Sequence, residues 1–101
     1  MTTKRFYRRR FLNRRGFHAG AYVLAQCHTD SFRSQNGSTS YSVDAEFTIA
    51  DCGRVATLDF CVSDEQAARN ALYKVRLLRA IVNDFEDALE AAVEDWRRLR
   101  N

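Results

Sequence analysis

Basic and aromatic side chains are interleaved in the first eighteen residues, MTTKRFYRRRFLNRRGFH. This segment has a net charge of +7, contributed by Lys4, Arg5, Arg8, Arg9, Arg10, Arg14 and Arg15. Guanidinium groups match phosphate oxygens in pairs, and aromatic rings stack on unpaired bases. The composition therefore predicts a basic arm over residues 1–18 that contacts nucleic acid, free or within a nucleoprotein complex.

A second charged surface, of opposite sign, is expected near the C-terminus. The whole chain has a net charge of +3, so residues 19–101 carry −4. Six carboxylates crowd into a short stretch: Asp84, Glu86, Asp87, Glu90, Glu94 and Asp95. This acidic surface offers an alternative function, in which the chain is an inhibitor or scaffold that binds a protein target there. In that case the arm is structural. It would lie over the acidic sheet face of Asp44, Glu46 and Asp59.

The cysteines and histidines contain the atoms of a zinc site but not its spacing. Cys27 and His28 are adjacent, so on a strand they point to opposite faces. Cys52 falls in a turn, whereas Cys61 falls on the outer face of a strand. The three cysteines include no CxxC pair, which favours reduced thiols. We expect no metal and no cofactor.

Catalytic residues are equally hard to assemble from this sequence. Glu46 and Asp59 are expected to face each other across two strands, but an open sheet face keeps such acids solvated. No serine or cysteine occupies a recognisable nucleophile motif beside His18 or His28. The sequence predicts a protein that is not an enzyme and has no small-molecule substrate.

Alternating apolar residues predict the strands that would position these groups. A first strand follows Ala19, with Tyr22 and Leu24 on one face and Val23 and Ala25 on the other. Two further strands form a hairpin whose apolar faces coincide only in one register. That register pairs Val43 with Val62, Ala45 with Phe60, Phe47 with Leu58, and Ile49 with Ala56. It leaves Cys52-Gly53 as a two-residue turn.

The rest of the chain predicts one loop and one long helix. Residues 29–40 contain Asn36-Gly37 amid serines and threonines, which indicates an exposed loop. Ser63 and Gln66 form a capping-box pattern before a helix over residues 64–100. Its apolar residues recur at alternating spacings of three and four, a period of 3.5. These positions are Ala68, Ala71, Val75, Leu78, Val82, Phe85, Leu89, Ala92, Trp96 and Leu99.

The predicted helix is about twice as long as the predicted strands. At ~1.5 Å per residue it spans roughly 55 Å, against roughly 26 Å for an eight-residue strand. Its far half would therefore expose an apolar patch that soluble monomers rarely tolerate. We expect a homodimer formed through Phe85, Leu89, Val93, Trp96 and Leu99. A different protein, the basic arm or a bend near Asn83 are the alternative ways of covering this patch.

These elements together predict one small α+β domain. The expected fold is a three-stranded antiparallel meander, or four-stranded if the arm contributes a strand, followed by one long C-terminal helix packed on the sheet. Residues 1–18 form the arm and residues 19–101 the β-β-β-α domain, consistent with 101 residues and 11.7 kDa. No apolar run is long enough to span a membrane, so we expect a cytoplasmic protein without a membrane partner.

This architecture resembles the compact inhibitor proteins that phages encode against host defences, including anti-CRISPR proteins. The resemblance covers residues 19–101 and lies in the meander, the uninterrupted helix and the segregated charge. It implies binding to a nucleoprotein machine through a charged surface, without catalysis, and it is compatible with self-association. It transfers no functional residues to this chain.

Overall fold

A four-stranded antiparallel sheet is followed by one long helix in the computed structural model, which describes residues 1–100. The elements are β1 (Thr2–Phe11), β2 (Tyr22–Arg33), β3 (Thr39–Asp51), β4 (Arg54–Asp59) and α1 (Glu65–Arg100). The strands lie in the order β1-β2-β3-β4. The predicted α+β class is confirmed, with the four-stranded form of the sheet. Packing of the helix on the sheet stays a prediction, and the chain divides into two compact units at Ala71.

The hairpin of β3 and β4 has the predicted register. Phe47 pairs with Leu58 and Ile49 with Ala56, while an isolated bridge joins Val43 to Val62. The two turn residues both have positive φ, 50° at Cys52 and 81° at Gly53. A turn of this kind matches the right-handed twist of the flanking strands, and glycine adopts its second position without steric cost.

The segment expected to be an arm is instead the first strand of the sheet. Residues 2–11 pair antiparallel with β2 along their whole length, from Thr2 opposite Asp30 to Phe11 opposite Tyr22. A β-bulge between Lys4 and Phe6 shifts the register by one residue. The bulge interrupts the period-2 pattern, and every residue of β1 is exposed, so hydrophobic alternation gives no signal for this strand.

The strands extend further than the sequence predicts. The expected loop over residues 29–40 shrinks to 34–38, where Gly37 has a φ of 89°. The polar residues on either side continue β2 and β3 because their backbone groups pair across the ladder. With 13 residues, β3 spans about 43 Å, against about 54 Å for α1. The predicted two-fold difference in length is therefore wrong, and it no longer argues for self-association.

Burial within one copy of the chain is slight. Only Ala21 and Ala50 among the described apolar residues are buried, at 4% and 3% exposure, and no large side chain is fully buried. The apolar face shared by β3 and β4 is mostly half-buried, as at Phe47 and Leu58. In α1 no residue is buried. Within residues 1–100, no helix has both the length and the apolar character that crossing a membrane requires.

The helix begins with Asp64 as its cap, rather than with the predicted Ser63. Oδ1 of Asp64 accepts a hydrogen bond of 2.7 Å from the backbone N–H of Ala67. This satisfies one of the amide groups that lack a partner at a helix N-terminus, and the negative charge complements the helix dipole.

We expect Asp64→Ala to lower the free energy of unfolding by about 1 kcal/mol because this amide loses its partner. Ser63→Ala is the matched control and should change it by less than about 0.5 kcal/mol. Urea denaturation followed by far-ultraviolet circular dichroism measures both. A larger loss for Ser63→Ala than for Asp64→Ala would contradict this assignment of the cap.

Candidate nucleic-acid interface

The edge strand β1 presents arginines on both faces of the sheet. Arg8 lies opposite Ala25 and Arg10 opposite Val23, so these two share one face. Arg9, between them, lies opposite Leu24 on the other face. Residues two apart on a strand are about 6.6 Å apart along its axis. Because nothing in the sheet pairs with the outer edge of β1, its basic side chains stand in a row beside unpaired backbone.

Aromatic rings hold several of these cations in place. The Arg8 guanidinium lies 5.3 Å from the centroid of the Phe6 ring. That of Arg9 lies 5.8 Å from the Phe11 ring and 5.4 Å from the Tyr22 ring. A guanidinium that uses its flat face on a ring keeps its N–H edges available for an anion. These contacts therefore restrict the side chains without occupying their hydrogen-bond donors.

The basic side chains of residues 1–18 do not neutralise the chain's own acidic residues. Ion pairs join Arg69 to Glu65, Arg97 to Glu94 and Arg98 to Asp95, and none of these pairs involves residues 1–18. β2 separates β1 from β3, where Asp44 and Glu46 lie, and the Glu46 carboxylate accepts a hydrogen bond from Gln26. The alternative in which the arm covers the acidic sheet face is thus wrong, because β1 extends the sheet edge to edge.

Arg14 and Arg15 lie in the loop between β1 and β2, which hydrogen bonds tie to the sheet. The backbone N–H of Leu12 donates to the carbonyl of Ala21 at 2.9 Å, closing the loop. The backbone N–H of Cys52 donates to the carbonyl of Gly20 at 3.2 Å. The loop is therefore attached to the β3–β4 turn, and its two arginines are exposed.

This attachment brings together His18, Asp51 and Cys52, which sequence spacing did not indicate as a group. Their possible ligand atoms lie within 4.8 Å of one another, and all three residues are exposed. The backbone N–H of Gly20 donates to Nδ1 of His18 at 3.3 Å, and Nε2 lies 3.7 Å from Sγ of Cys52. An acceptor role for Nδ1 places the ring proton of neutral His18 on Nε2, facing the sulfur. In this tautomer the contact between Nε2 and Sγ is a hydrogen bond that ties the loop to the β3–β4 turn.

The two exposed thiols are both held in their neutral form. A hydrogen bond to Asp51, together with its charge, raises the pKa of the Cys52 thiol. A hydrogen bond to Asp59 is the main cause that raises the pKa of Cys61 to about 11. A thiol with a raised pKa is a poor nucleophile near neutral pH because little thiolate is present. Neither cysteine is arranged as an activated nucleophile.

The other predicted groups lie where the strand register puts them. Glu46 faces Asp59 across β3 and β4, as expected. Cys27 and His28 are neighbours in the middle of β2, whereas Cys52 lies in the turn between β3 and β4. Cys27, His28, Cys52 and Cys61, which contain the atoms of a zinc site, are therefore not gathered into one cluster.

The predicted helix surfaces are solvent-exposed. The predicted self-association residues include Phe85 at 65% and Trp96 at 57% exposure, whereas Val93 is half-buried. The Arg100 guanidinium lies 4.5 Å from the centroid of the Trp96 ring. Every carboxylate residue of the acidic stretch is exposed, and Glu94 and Asp95 form ion pairs with Arg97 and Arg98.

Comparison with protein-family models, with curated proteins and with solved structures finds no match for this chain.

We expect Asp51→Asn to accelerate alkylation of Cys52 by iodoacetamide severalfold at about pH 8. Removing the carboxylate lowers the pKa of the thiol, which increases the thiolate fraction at a given pH. Cys61 is the internal control, because its raised pKa depends mainly on Asp59. Peptide mass spectrometry measures both rates. An unchanged rate at Cys52, or an equal change at Cys61, would contradict this origin of the shift.

Proposed function

We propose that this chain is a non-enzymatic binding protein that contacts the phosphates of nucleic acid, free or within a nucleoprotein complex, through β1 and its following loop. The contact residues are Lys4, Arg5, Arg8, Arg9, Arg10, Arg14 and Arg15. The same proposal includes self-association through the apolar surface of α1. An inhibitor role of the anti-CRISPR type remains a prediction from resemblance.

The observation that supports this best is the exposed row of arginines on an edge strand, two of which lie within about 6 Å of aromatic ring centroids. Arg8 and Arg9 contact aromatic rings through their guanidinium groups, and no carboxylate among residues 1–100 forms an ion pair with them. Such side chains lose less conformational freedom on binding than free ones, so more of the phosphate interaction remains as affinity. A phosphate can also bind these arginines without displacing an acidic side chain.

Partly exposed rings beside these cations favour single-stranded over duplex nucleic acid. Tyr7 is 52% exposed and Phe11 is 62% exposed. Base stacking on aromatic rings is worth about 1–3 kcal/mol per base and needs unpaired bases. A flat edge strand with no protruding helix is poorly shaped for reading the major groove of a duplex.

Charged residues on an edge strand have a second known effect, since they discourage pairing with the edge of another sheet. That role alone requires no anion and predicts no saturable binding of oligonucleotides. The contacts between Arg8 and Phe6 and between Arg9 and Tyr22 favour the binding role, because a purely repulsive edge does not need its charges held in place.

We expect binding of a single-stranded oligonucleotide to weaken by roughly ten-fold or more between about 50 and 200 mM salt, because bound counterions are released from each contacted phosphate. Arg8→Gln combined with Arg10→Gln should flatten the slope of log affinity against log salt by about 1.4, because each contact to a single strand contributes about 0.7. Fluorescence anisotropy titration measures both effects.

The matched control is Arg69→Gln combined with Arg76→Gln, which removes the same charge from α1. It should change affinity by less than about three-fold, since neither arginine belongs to the proposed phosphate contact. Binding that does not depend on salt, or an equal loss in the control, would refute a phosphate contact at β1.

A further inference from the structure

The apolar seam of α1 consists of the ten positions that recur every 3.5 residues between Ala68 and Leu99. We propose that this seam binds a second copy of the chain, with the two helices antiparallel about an axis between residues 83 and 84. The inference deepens the proposed self-association and rests on that part of the proposed function. It is independent of whether β1 binds nucleic acid.

Charge along the helix is segregated in a way that favours the antiparallel orientation. Residues 66–83 contain only basic charges, at Arg69, Lys74, Arg76 and Arg79. Residues 84–96 contain only acidic ones, from Asp84 to Asp95. An antiparallel pair brings the basic half of each copy alongside the acidic half of the other. A parallel pair in register places like charges side by side, at a cost in stability.

One antiparallel register uses every position of the seam. With the axis between residues 83 and 84, each apolar residue meets an apolar residue of the second copy. The layers pair Ala68 with Leu99, Ala71 with Trp96, Val75 with Ala92, Leu78 with Leu89, and Val82 with Phe85. Because the helix runs from Glu65 to Arg100, this register also overlaps the two helices over nearly their full length.

Side-chain volumes within these layers are complementary. The largest side chain of the seam, Trp96, meets the small Ala71, and Leu99 meets Ala68. Val75 likewise meets Ala92. Alternating large and small residues across an interface fills space without voids. In a parallel pair in register each alanine would meet itself and Trp96 would meet Trp96, leaving gaps in some layers and crowding in another.

The positions that flank the seam agree with the same register. Residues on either side of a coiled-coil seam meet their counterparts across it and set the orientation. Here Lys74 meets Asp95, Arg79 meets Glu86, and Glu65 meets Arg100 of the second copy. The remaining flanking pairs are apolar, Leu72 with Val93 and Ile81 with Ala88. In a parallel pair Lys74 would instead approach Arg79.

No residue of the seam is buried in the single chain, although Ala68, Ala71 and Leu78 are half-buried. Val82, Phe85 and Leu89 are 53%, 65% and 51% exposed. The ion pairs of Asp95 with Arg98 and of Glu65 with Arg69 lie at the surface. Because exposed pairs contribute little, their carboxylates can also engage a basic residue of the second copy.

Zero-length cross-linking of the unmodified protein tests the orientation. Lys4 and Lys74 are the only lysines of the chain, and a carbodiimide joins an amine to a carboxylate that touches it. Lys74 and Asp95 are roughly 31 Å apart along one helix, so a bond between them must join two copies. We expect a covalent dimer whose digest contains Lys74 joined to Glu94 or Asp95. Lys74→Arg should abolish that cross-link and leave the mass by light scattering dimeric.

Charge reversal supplies an independent readout. Arg79→Glu places two like-charged pairs in the antiparallel dimer and should weaken it about five- to thirty-fold. Adding Glu86→Arg should restore dimerisation to within about three-fold of the original. In a parallel dimer Arg79→Glu would instead strengthen association, because it introduces an opposite charge beside Lys74. Sedimentation equilibrium measures each dissociation constant.

A single-chain mass at all concentrations, a dimer without the Lys74 cross-link, or strengthening by Arg79→Glu would each overturn the proposal. Capture of a different protein by a chain that stays monomeric would do the same. These readouts contain no nucleic acid, so they separate failure of the helix pairing from failure of the β1 contact. Oligonucleotide titration of the Arg8→Gln and Arg10→Gln variant tests the latter alone.

Discussion

The apolar seam of α1 is the constraint on which the account of this molecule depends. Within one copy of the chain, apolar burial is limited to two alanines and a half-buried sheet face. Conformational entropy opposes the ordering of a helix of this length, and helices owe most of their stability in proteins to burial of an apolar face. A seam with Phe85 and Trp96 exposed therefore needs a partner surface of its own kind. Because charges and side-chain volumes along the seam are complementary, we propose a second copy as that partner.

We propose different roles for the charges of the sheet and for those of the helix. The sheet places a basic strand at its edge, where Arg8 and Arg9 rest on aromatic rings and remain open to anions. The helix carries both signs in separate halves, which suits pairing with itself. A homodimer would carry two copies of the β1 surface, and two linked contacts raise the effective affinity for one strand of nucleic acid if both can reach it.

Hydrophobic periodicity was sufficient to predict the regular parts of the fold. It predicted the register of β3 with β4 down to the Cys52-Gly53 turn, because a slip of one residue would expose Phe47 and Leu58 together. It also predicted the extent of α1 to within one residue. Period-2 alternation failed at β1, where a bulge and full exposure remove the pattern. The ends of β2 and β3 were predicted wrongly for a related reason, since polar residues there pair only through their backbones.

The candidate site likewise has one part that the sequence predicts and another part that it does not. The basic residues of β1 could be found from composition alone, but their ring partners depend on strand pairing, as Tyr22 does in its contact with Arg9. The hydrogen bond between His18 and Cys52 spans 34 positions of sequence. No local signal could reveal it, because it forms only when the β1–β2 loop is tied to the β3–β4 turn.

Fluorescence of Trp96, the single tryptophan of the chain, directly tests whether α1 pairs with a second copy. In the paired helices its indole lies against Ala71 of the second copy, shielded from water. We expect the emission maximum to move to longer wavelength on dilution, in step with a fall in molar mass from two chains to one. Emission typical of an exposed indole at every concentration, with a mass of one chain throughout, would contradict it.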